Sequence, residues 1–284
     1  MCLKVVLLGY GAIGKSLHGA LARHPRRVHV LGVLDRTAGV PSAVSPTIKP
    51  GFLADADADA DADERPPALT LAEALESADL IVECASPAAV RALGPAIIAS
   101  GTDMLIASLG ALVDDTLRAS VMETGPGRAY LSTGAIGGLD LIRASAGTID
   151  SMELHTRKLP GALLHAGLPQ DLRAKITAAT TLGEPQTVFA GTVAHAVELF
   201  PSNINVAAAL GLAAGDFGFV KISITADPTA TLTSHSIHVQ GSGGTYRFGI
   251  ENAPDPQNPA TSALTARAMA SGILRLAGAG PHFI

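Results

Sequence analysis

The sequence predicts an α/β fold: a doubly wound parallel sheet followed by a smaller α+β unit with a mixed or antiparallel sheet. Three observations predict it. An apolar run, Leu3–Leu8, passes at once into a glycine-rich turn and then a helical pattern. The same strand–helix rhythm repeats as far as residue 108, which implies right-handed crossovers within one parallel sheet. Beyond residue 131 the pattern changes to alternating strands, with Ser242-Gly243-Gly244 reading as a hairpin turn.

The first unit is the most legible. Leu3-Lys4-Val5-Val6-Leu7-Leu8 is rich in β-formers, and Gly9-Tyr10-Gly11-Ala12-Ile13-Gly14 follows directly. Lys15–Ala22 reads as a helix, and Val28–Leu34 as a second strand ending in Asp35. This is G-x-G-x-x-G in the strand–turn–helix context that gives it meaning, the mark of a Rossmann-type dinucleotide-binding domain. Gly9 permits the tight turn, Gly11 lets backbone approach a pyrophosphate, and Gly14 lets helix and strand pack closely. At Ala12 and Ile13 the free N–H groups of the helix start meet the phosphate charge. Asp35 lies about 20 residues further on, where an acidic residue bonds the ribose hydroxyls, and Arg36 beside it is able to pair with a 2′-phosphate. NAD is therefore favoured and NADP stays open.

Thr37 to Pro67 interrupts the rhythm with prolines and an alternating tract, Ala54 to Asp63. The tract lacks the glycine and bidentate-Glu pattern of a calcium loop and reads as a solvated surface excursion. Order returns with a short helix at Leu69–Leu75, a strand at Ala78–Ala85, a helix from Ala88 to Ser100 and a strand at Asp103–Ser108. Ligands of such sheets gather beyond the carboxyl ends of the strands. That rule selects Cys84–Pro87 and Ala107–Ala111 as cofactor-facing loops, with Ala85, Ser86 and Ser108 as contacts. Cys84 itself reads as a small buried hydrophobe.

Tyr130 to Asp140 combines a short strand with small residues and marks the domain crossing. The expected division is 1–131 for the dinucleotide domain, with 258–284 returning to pack on it, and 132–257 for the substrate domain. In the latter, strands are expected at Thr148–Lys158, Thr187–Ala190, Phe219–Ala226, Ser234–Gln240 and Thr245–Ile250. Helices are expected at Asp171–Thr180, Thr192–Leu199, Asn205–Ala214 and, closing the chain, Ser262–Ala277.

Composition narrows the function. A chain of 284 residues, 48% hydrophobic and 16% charged, suits two compact domains. A formal charge of −5, no Trp and only 4% aromatics argue against nucleic-acid binding. No apolar run approaches the roughly 20 residues needed to span a bilayer. The start of the chain lacks a signal-peptide pattern, and Cys2 and Cys84 are too few for a disulfide framework or a metal site, so a cytoplasmic protein without a metal centre is expected.

A dehydrogenase needs a proton donor or acceptor beside its reacting carbon, and histidine suits that role. His18, His24 and His29 sit in or beside the phosphate-binding unit, and His282 near a terminus. Strand alternation puts His235 on the face of Ile237 and Val239, and His238 on the other face with Ser236 and Gln240. Asn205 follows Pro201-Ser202-Asn203-Ile204 at a helix start, where Asn is able either to cap the helix or to bind a carboxamide.

The chain resembles the L-aspartate dehydrogenase family along its length, apart from the Ala-Asp insert. The matching segments are Gly9–Gly14, Ser132-Thr133-Gly134-Ala135-Ile136-Gly137-Gly138, Asn203–Ala208, Ala226-Asp227-Pro228 running on to His235-Ser236-Ile237, and Asn258-Pro259 through Ala266. By that resemblance His235 matches the catalytic histidine, and Ala135 and Asn205 match cofactor contacts. One departure is Thr233, where the family places Asn two residues before the histidine. The resemblance implies NAD(P)-dependent, reversible oxidative deamination of L-aspartate to iminoaspartate, hydrolysed to oxaloacetate and ammonia, with His235 as general acid/base. A role in NAD biosynthesis and a homodimer are further expectations. Arg157 and Lys158, at a strand end, are candidates for the substrate carboxylates. The alternatives are another nicotinamide oxidoreductase, homoserine dehydrogenase-like or an imine reductase, and a non-catalytic NAD(H)-binding regulator.

Overall fold

A computed structural model describes residues 2–34, 65–201, 204–256, 258 and 261–280. Asp35, Arg36 and the Ala-Asp tract lie outside the described residues, as do Ser202 and Asn203.

The first sheet contains β1 (Leu3–Leu8), β2 (Val28–Leu34), β3 (Ala68–Leu69), β4 (Leu80–Glu83), β5 (Asp103–Ile106) and β6 (Ala129–Leu131). All pairings are parallel, in the order β3-β2-β1-β4-β5-β6, so the strand order reverses between β1 and β4. Alternation along β1 feeds two cores. Val5 and Leu7 pack with Leu17 and Leu21 of α1 (Ala12–Leu21), while Val6 and Leu8 pack with Val90 and Ile97 of α3 (Pro87–Ser100). Helices therefore cover both faces, as the apolar strands require.

Local chemistry sets the helix bounds. α2 (Leu71–Ser77) opens on a capping box in which Thr70 N–H donates to Glu73 Oε2 at 2.7 Å and Glu73 N–H donates to Thr70 Oγ1 at 3.3 Å. α3 is capped by Ser86, has Pro87 in its first turn and stops at Gly101 with φ +93°. Among the elements that escaped the sequence reading are the two-residue β3, α4 (Asp115–Met122) and α5 (Leu139–Ala144). The signal for α4 was Asp114, whose Oδ1 accepts from Leu117 N–H at 2.9 Å.

The second sheet has the order β11-β10-β7-β9-β8, built from β7 (Ile149–Lys158), β8 (Gln186–Thr192), β9 (Val220–Ala226), β10 (Thr233–Gly241) and β11 (Gly244–Asn252). Only β7 and β9 run parallel, so the sheet is mixed. Its inner face carries Met152, Leu154, Ile222, Ile224, Ile237 and Val239 in one core with α6 (Gln170–Leu182), α7 (Val193–Leu199) and α8 (Asn205–Ala214). α5 (Leu139–Ala144) links the two sheets. The last helix, α9 (Ala263–Leu276), lays Ala266, Met269, Ala270 and Ile273 against Leu17 and Leu21 of the first unit. Among the described residues, no helix is long and apolar enough to cross a membrane.

Candidate active site

The glycine turn is built as the motif requires. Gly9 has φ +99°, and a Cβ added there would stand 2.7 Å from Ala85 Cβ. One added at Gly14 would stand 2.6 Å from the Gly9 carbonyl oxygen and 3.3 Å from Cys84 Sγ. At Gly11 an added Cβ would meet nothing within 4 Å. Gly11 also precedes α1 with no side-chain cap, so the first-turn N–H groups of Ala12, Ile13 and Gly14 face the open side. This cradle fits a dinucleotide pyrophosphate: two glycines crowded by structure, and one left clear. Gly14→Ala is expected to destabilise by about 1–3 kcal/mol through overpacking and to weaken dinucleotide binding, both readable from thermal melts with and without NAD.

Glu83 closes the floor of this site. It ends β4 and is fully buried. Its Oε1 accepts from the N–H groups of Ala85 and Ser86 at 2.8 and 2.9 Å and from Ser108 Oγ at 2.9 Å. Its Oε2 accepts from the N–H groups of Ala107 and Ser108 at 3.1 and 2.8 Å. One carboxylate thus ties together both loops that the strand-end rule selects. Burial pushes its pKa up, and the donors from Ser108, Ala85 and Ala107 pull against that. Ser86 is doubly committed, since its Oγ also accepts from Ala89 N–H to cap α3. Cys84 is buried, with Sγ 3.2 Å from the Gly9 carbonyl, and burial pushes its thiol pKa far up, so it packs as an inert small side chain.

At the second sheet, the inner face turns polar at one end. His235 pairs with Thr156 across β10 and β7, and Thr233 pairs with Asn252 across β10 and β11. Lys158 lies two residues beyond Thr156 on the same face, diagonal to His235. His235, Thr156, Lys158 and Asn252 are all buried, at 4–6% exposure, where most of the face is aliphatic or aromatic. Thr156 Oγ1 and His235 Nδ1 are 3.0 Å apart. Burial, then the Lys158 charge, holds the His235 pKa down to about 3, and burial holds Lys158 down to about 8. His238 lies on the opposite face, as alternation dictates.

Among the described residues, two side-chain hydrogen bonds join the two units here. Asn252 Nδ2 donates to the carbonyl of Ala135, in the loop after β6, at 2.8 Å. Gly110 N–H, in the turn after β5, donates to Asn205 Oδ1 at 3.1 Å. Asn205 therefore does not cap α8, whose N-cap is Ile204, but reaches into the cofactor-facing loop. The structure thus brings Ser108, Ala135 and Asn205 to the junction and places His235 in the polar cluster tied to it.

Arg157 and Lys158 do not act together. Strand alternation sends Arg157 to the other face, where its guanidinium pairs with the fully buried Asp227. Asp227 in turn accepts from Thr229 N–H and Oγ1, both at 2.7 Å, and the hydroxyl, the amide and the guanidinium lower its pKa against burial. Sequence reasoning missed Glu83. Its signal was a charged residue closing an otherwise apolar, doubly buried strand, a position that demands partners.

Comparison with known proteins accords with this arrangement. Residues 140–276 match the family model for the aspartate dehydrogenase C-terminal region, and residues 9–125 match the NAD-binding domain of homoserine dehydrogenase. The chain is 37% identical over 215 residues to an L-aspartate dehydrogenase of Methanosarcina barkeri, covering 74% of this chain and 78% of the relative. It is 34% identical over 281 residues to L-aspartate dehydrogenase 2 of Bordetella pertussis, covering 96% of each. The crystal structure of aspartate dehydrogenase from Thermotoga maritima superposes with a TM-score of 0.68 at 27% identity, covering the whole of both chains. Coverage on that scale, carried through both halves of the molecule, places the chain in the L-aspartate dehydrogenase family.

Proposed function

We propose that the protein catalyses the NAD(P)-dependent, reversible oxidative deamination of L-aspartate to iminoaspartate, which hydrolyses to oxaloacetate and ammonia. A single observation carries the reading: a buried imidazole in a polar cluster, tied through Asn252 and Ala135 to the loops at the mouth of a dinucleotide-binding sheet. Gly9, Gly11, Ala12, Ile13 and Gly14 hold the pyrophosphate, Ala85, Ser86 and Ser108 line the cofactor, and Ala135 and Asn205 fix its nicotinamide end. A bound nicotinamide dinucleotide supplies the two-electron acceptor; every other operation falls to the chain.

His235 is the general acid/base. With its pKa held near 3 by burial and Lys158, the imidazole is neutral at physiological pH, the form able to take a proton. Thr156 fixes Nδ1 and so aims Nε2 at the substrate. Nε2 accepts a proton from the water that attacks the imine carbon, and returns it as ammonia departs. The junction between the sheets orients donor and acceptor carbons, which is where proximity contributes most.

The cofactor preference turns on Asp35 and Arg36, with NAD favoured. A reducing cytoplasmic setting is supported by the free thiols of Cys2 and Cys84, and a homodimer follows from two-fold dimers being the commonest soluble homo-oligomers. The test is a panel: purified protein with NAD or NADP and L-aspartate, L-alanine, L-glutamate or homoserine, following reduced nicotinamide by absorbance. Turnover restricted to L-aspartate is expected. Turnover of homoserine alone, or dinucleotide binding with no turnover, would replace the reading.

A further inference from the structure

The loop after β6, which carries Ala135, is fastened at both ends and in the middle. At its start Ser132 N–H donates to the carbonyl of Ile106, the last residue of β5, at 2.9 Å. At its far end Gly138 packs so closely on Phe248 of β11 that an added Cβ would stand 2.4 Å from the ring. Between them the Ala135 carbonyl accepts from Asn252 Nδ2 at 2.8 Å. Alternation puts Phe248, Ile250 and Asn252 on one face of β11, and Ile250 stands directly opposite His235. One strand pair thus carries the imidazole and holds the loop. Ala135 and Asn252 are both buried, at 6% exposure. A buried carbonyl without a donor is costly, so the position of the loop depends on this amide.

We propose that Asn252 is a positioning residue of the reaction: its amide sets how the nicotinamide end of the cofactor lies relative to the imidazole of His235. The inference rests on the reading above that Ala135 meets that end of the cofactor. A carbonyl only accepts, so the Nδ2 side of the carboxamide is the side that serves Ala135. Neither a hydrocarbon nor an ionised carboxylate at position 252 replaces it. Hydride transfer needs donor and acceptor carbons about 3–3.5 Å apart, and a misplacement of about 1 Å costs on the order of 10²-fold in rate. A bond that fixes the loop against the strand pair therefore acts on the rate without touching the reacting atoms.

Two measurements test this. Asn252→Asp keeps the shape of the side chain and loses the donor once ionised; protonated, its carboxyl O–H donates to the carbonyl again. Burial raises the pKa of such a carboxyl above the ordinary value of about 3.9, which brings the change into an assayable range. In stopped-flow single turnovers of NAD-loaded protein with saturating L-aspartate, Asn252→Ala is expected to form NADH roughly 10–100-fold more slowly than the wild type. The Asn252→Asp rate, taken as a ratio to wild type at each pH, is expected to recover as pH falls and the carboxyl regains its proton. A residue that merely stabilised the fold would lower the melting temperature and leave that ratio flat. The second measurement needs no turnover: titration with NADH at alkaline pH, followed by nicotinamide fluorescence. Both variants are expected to bind roughly 3–10-fold more weakly than wild type, the worth of one hydrogen bond. Equal NADH affinity in all three proteins overturns the proposal, as does a single-turnover rate unchanged in Asn252→Ala or a ratio that is flat with pH. Failure of the wild type to oxidise aspartate would remove the substrate reading alone, and the NADH titration then decides the role of Asn252. Asn252→Asp serves both assays if Asn252→Ala does not fold.

Discussion

Replacing His235 with alanine is expected to lower turnover of L-aspartate by roughly 10²–10⁴-fold while leaving dinucleotide affinity within a few-fold of wild type. The size follows from losing a positioned proton acceptor, worth about 3–5 kcal/mol in the transition state. The specificity follows from geometry. The glycine turn and the loops bound by Glu83 belong to the first sheet, and among the described residues His235 is held within the second, through Thr156. A purely structural imidazole would show the opposite split, with binding and activity falling together. Acid stability supplies an independent readout. The folded-state pKa of about 3 lies below the ordinary 6.5, so the neutral imidazole contributes stability that is complete above about 6.5 and is lost as pH falls towards 3. Between about pH 7 and pH 5 that loss amounts to about 2 kcal/mol from this one group. The wild type should therefore lose melting temperature over that interval more steeply than His235→Ala. Equal slopes and unchanged turnover would together remove the residue from the mechanism.

What the sequence discloses follows from which forces are local. The glycine turn is legible because three backbone requirements fall within six residues, and the crowding at Gly9 and Gly14 against the space at Gly11 matches them. His235 is legible because alternation is a rule of one strand: Ile237 and Val239 declare the buried face. Alternation also separates Lys158 from Arg157, although reading the pair as one basic strand end hid this. Asn205 shows where local reasoning stops. Its position at a helix start offers capping or recognition equally, and only the fold reveals Gly110 across the junction. The partners of Glu83 lie at residues 85, 86, 107 and 108, divided between two loops, so no window of the sequence contains them.

That non-local clasp makes Glu83→Gln the most informative isosteric change in the first sheet. A carboxylate offers two acceptor oxygens, and each receives two backbone N–H groups: Ala85 and Ser86 on Oε1, Ala107 and Ser108 on Oε2. An amide offers one acceptor and one donor group. Turned one way, its NH₂ faces the part-buried N–H groups of Ala85 and Ser86; turned the other way, it faces the buried N–H of Ser108 and that of Ala107, which keeps the Glu83 carbonyl as an acceptor at 3.3 Å. A buried orphaned donor costs about 1–3 kcal/mol and a part-buried one less, so the variant should lose about 1–4 kcal/mol despite its unchanged shape. For a chain of this size that is a fall in melting temperature on the order of 10 °C. The loosened pair is the pair of cofactor-facing loops, so NAD affinity should fall with stability, the reverse of the pattern at His235. Ser108→Ala is the internal control: it removes one hydroxyl donor and leaves all four N–H bonds, and should cost only about 1 kcal/mol. Thermal melts of the three proteins with and without NAD decide the matter. If Glu83→Gln melted within a degree or two of Ser108→Ala and kept its NAD-dependent shift, the four N–H groups would not depend on a full carboxylate, and the clasp would be incidental to the site above it.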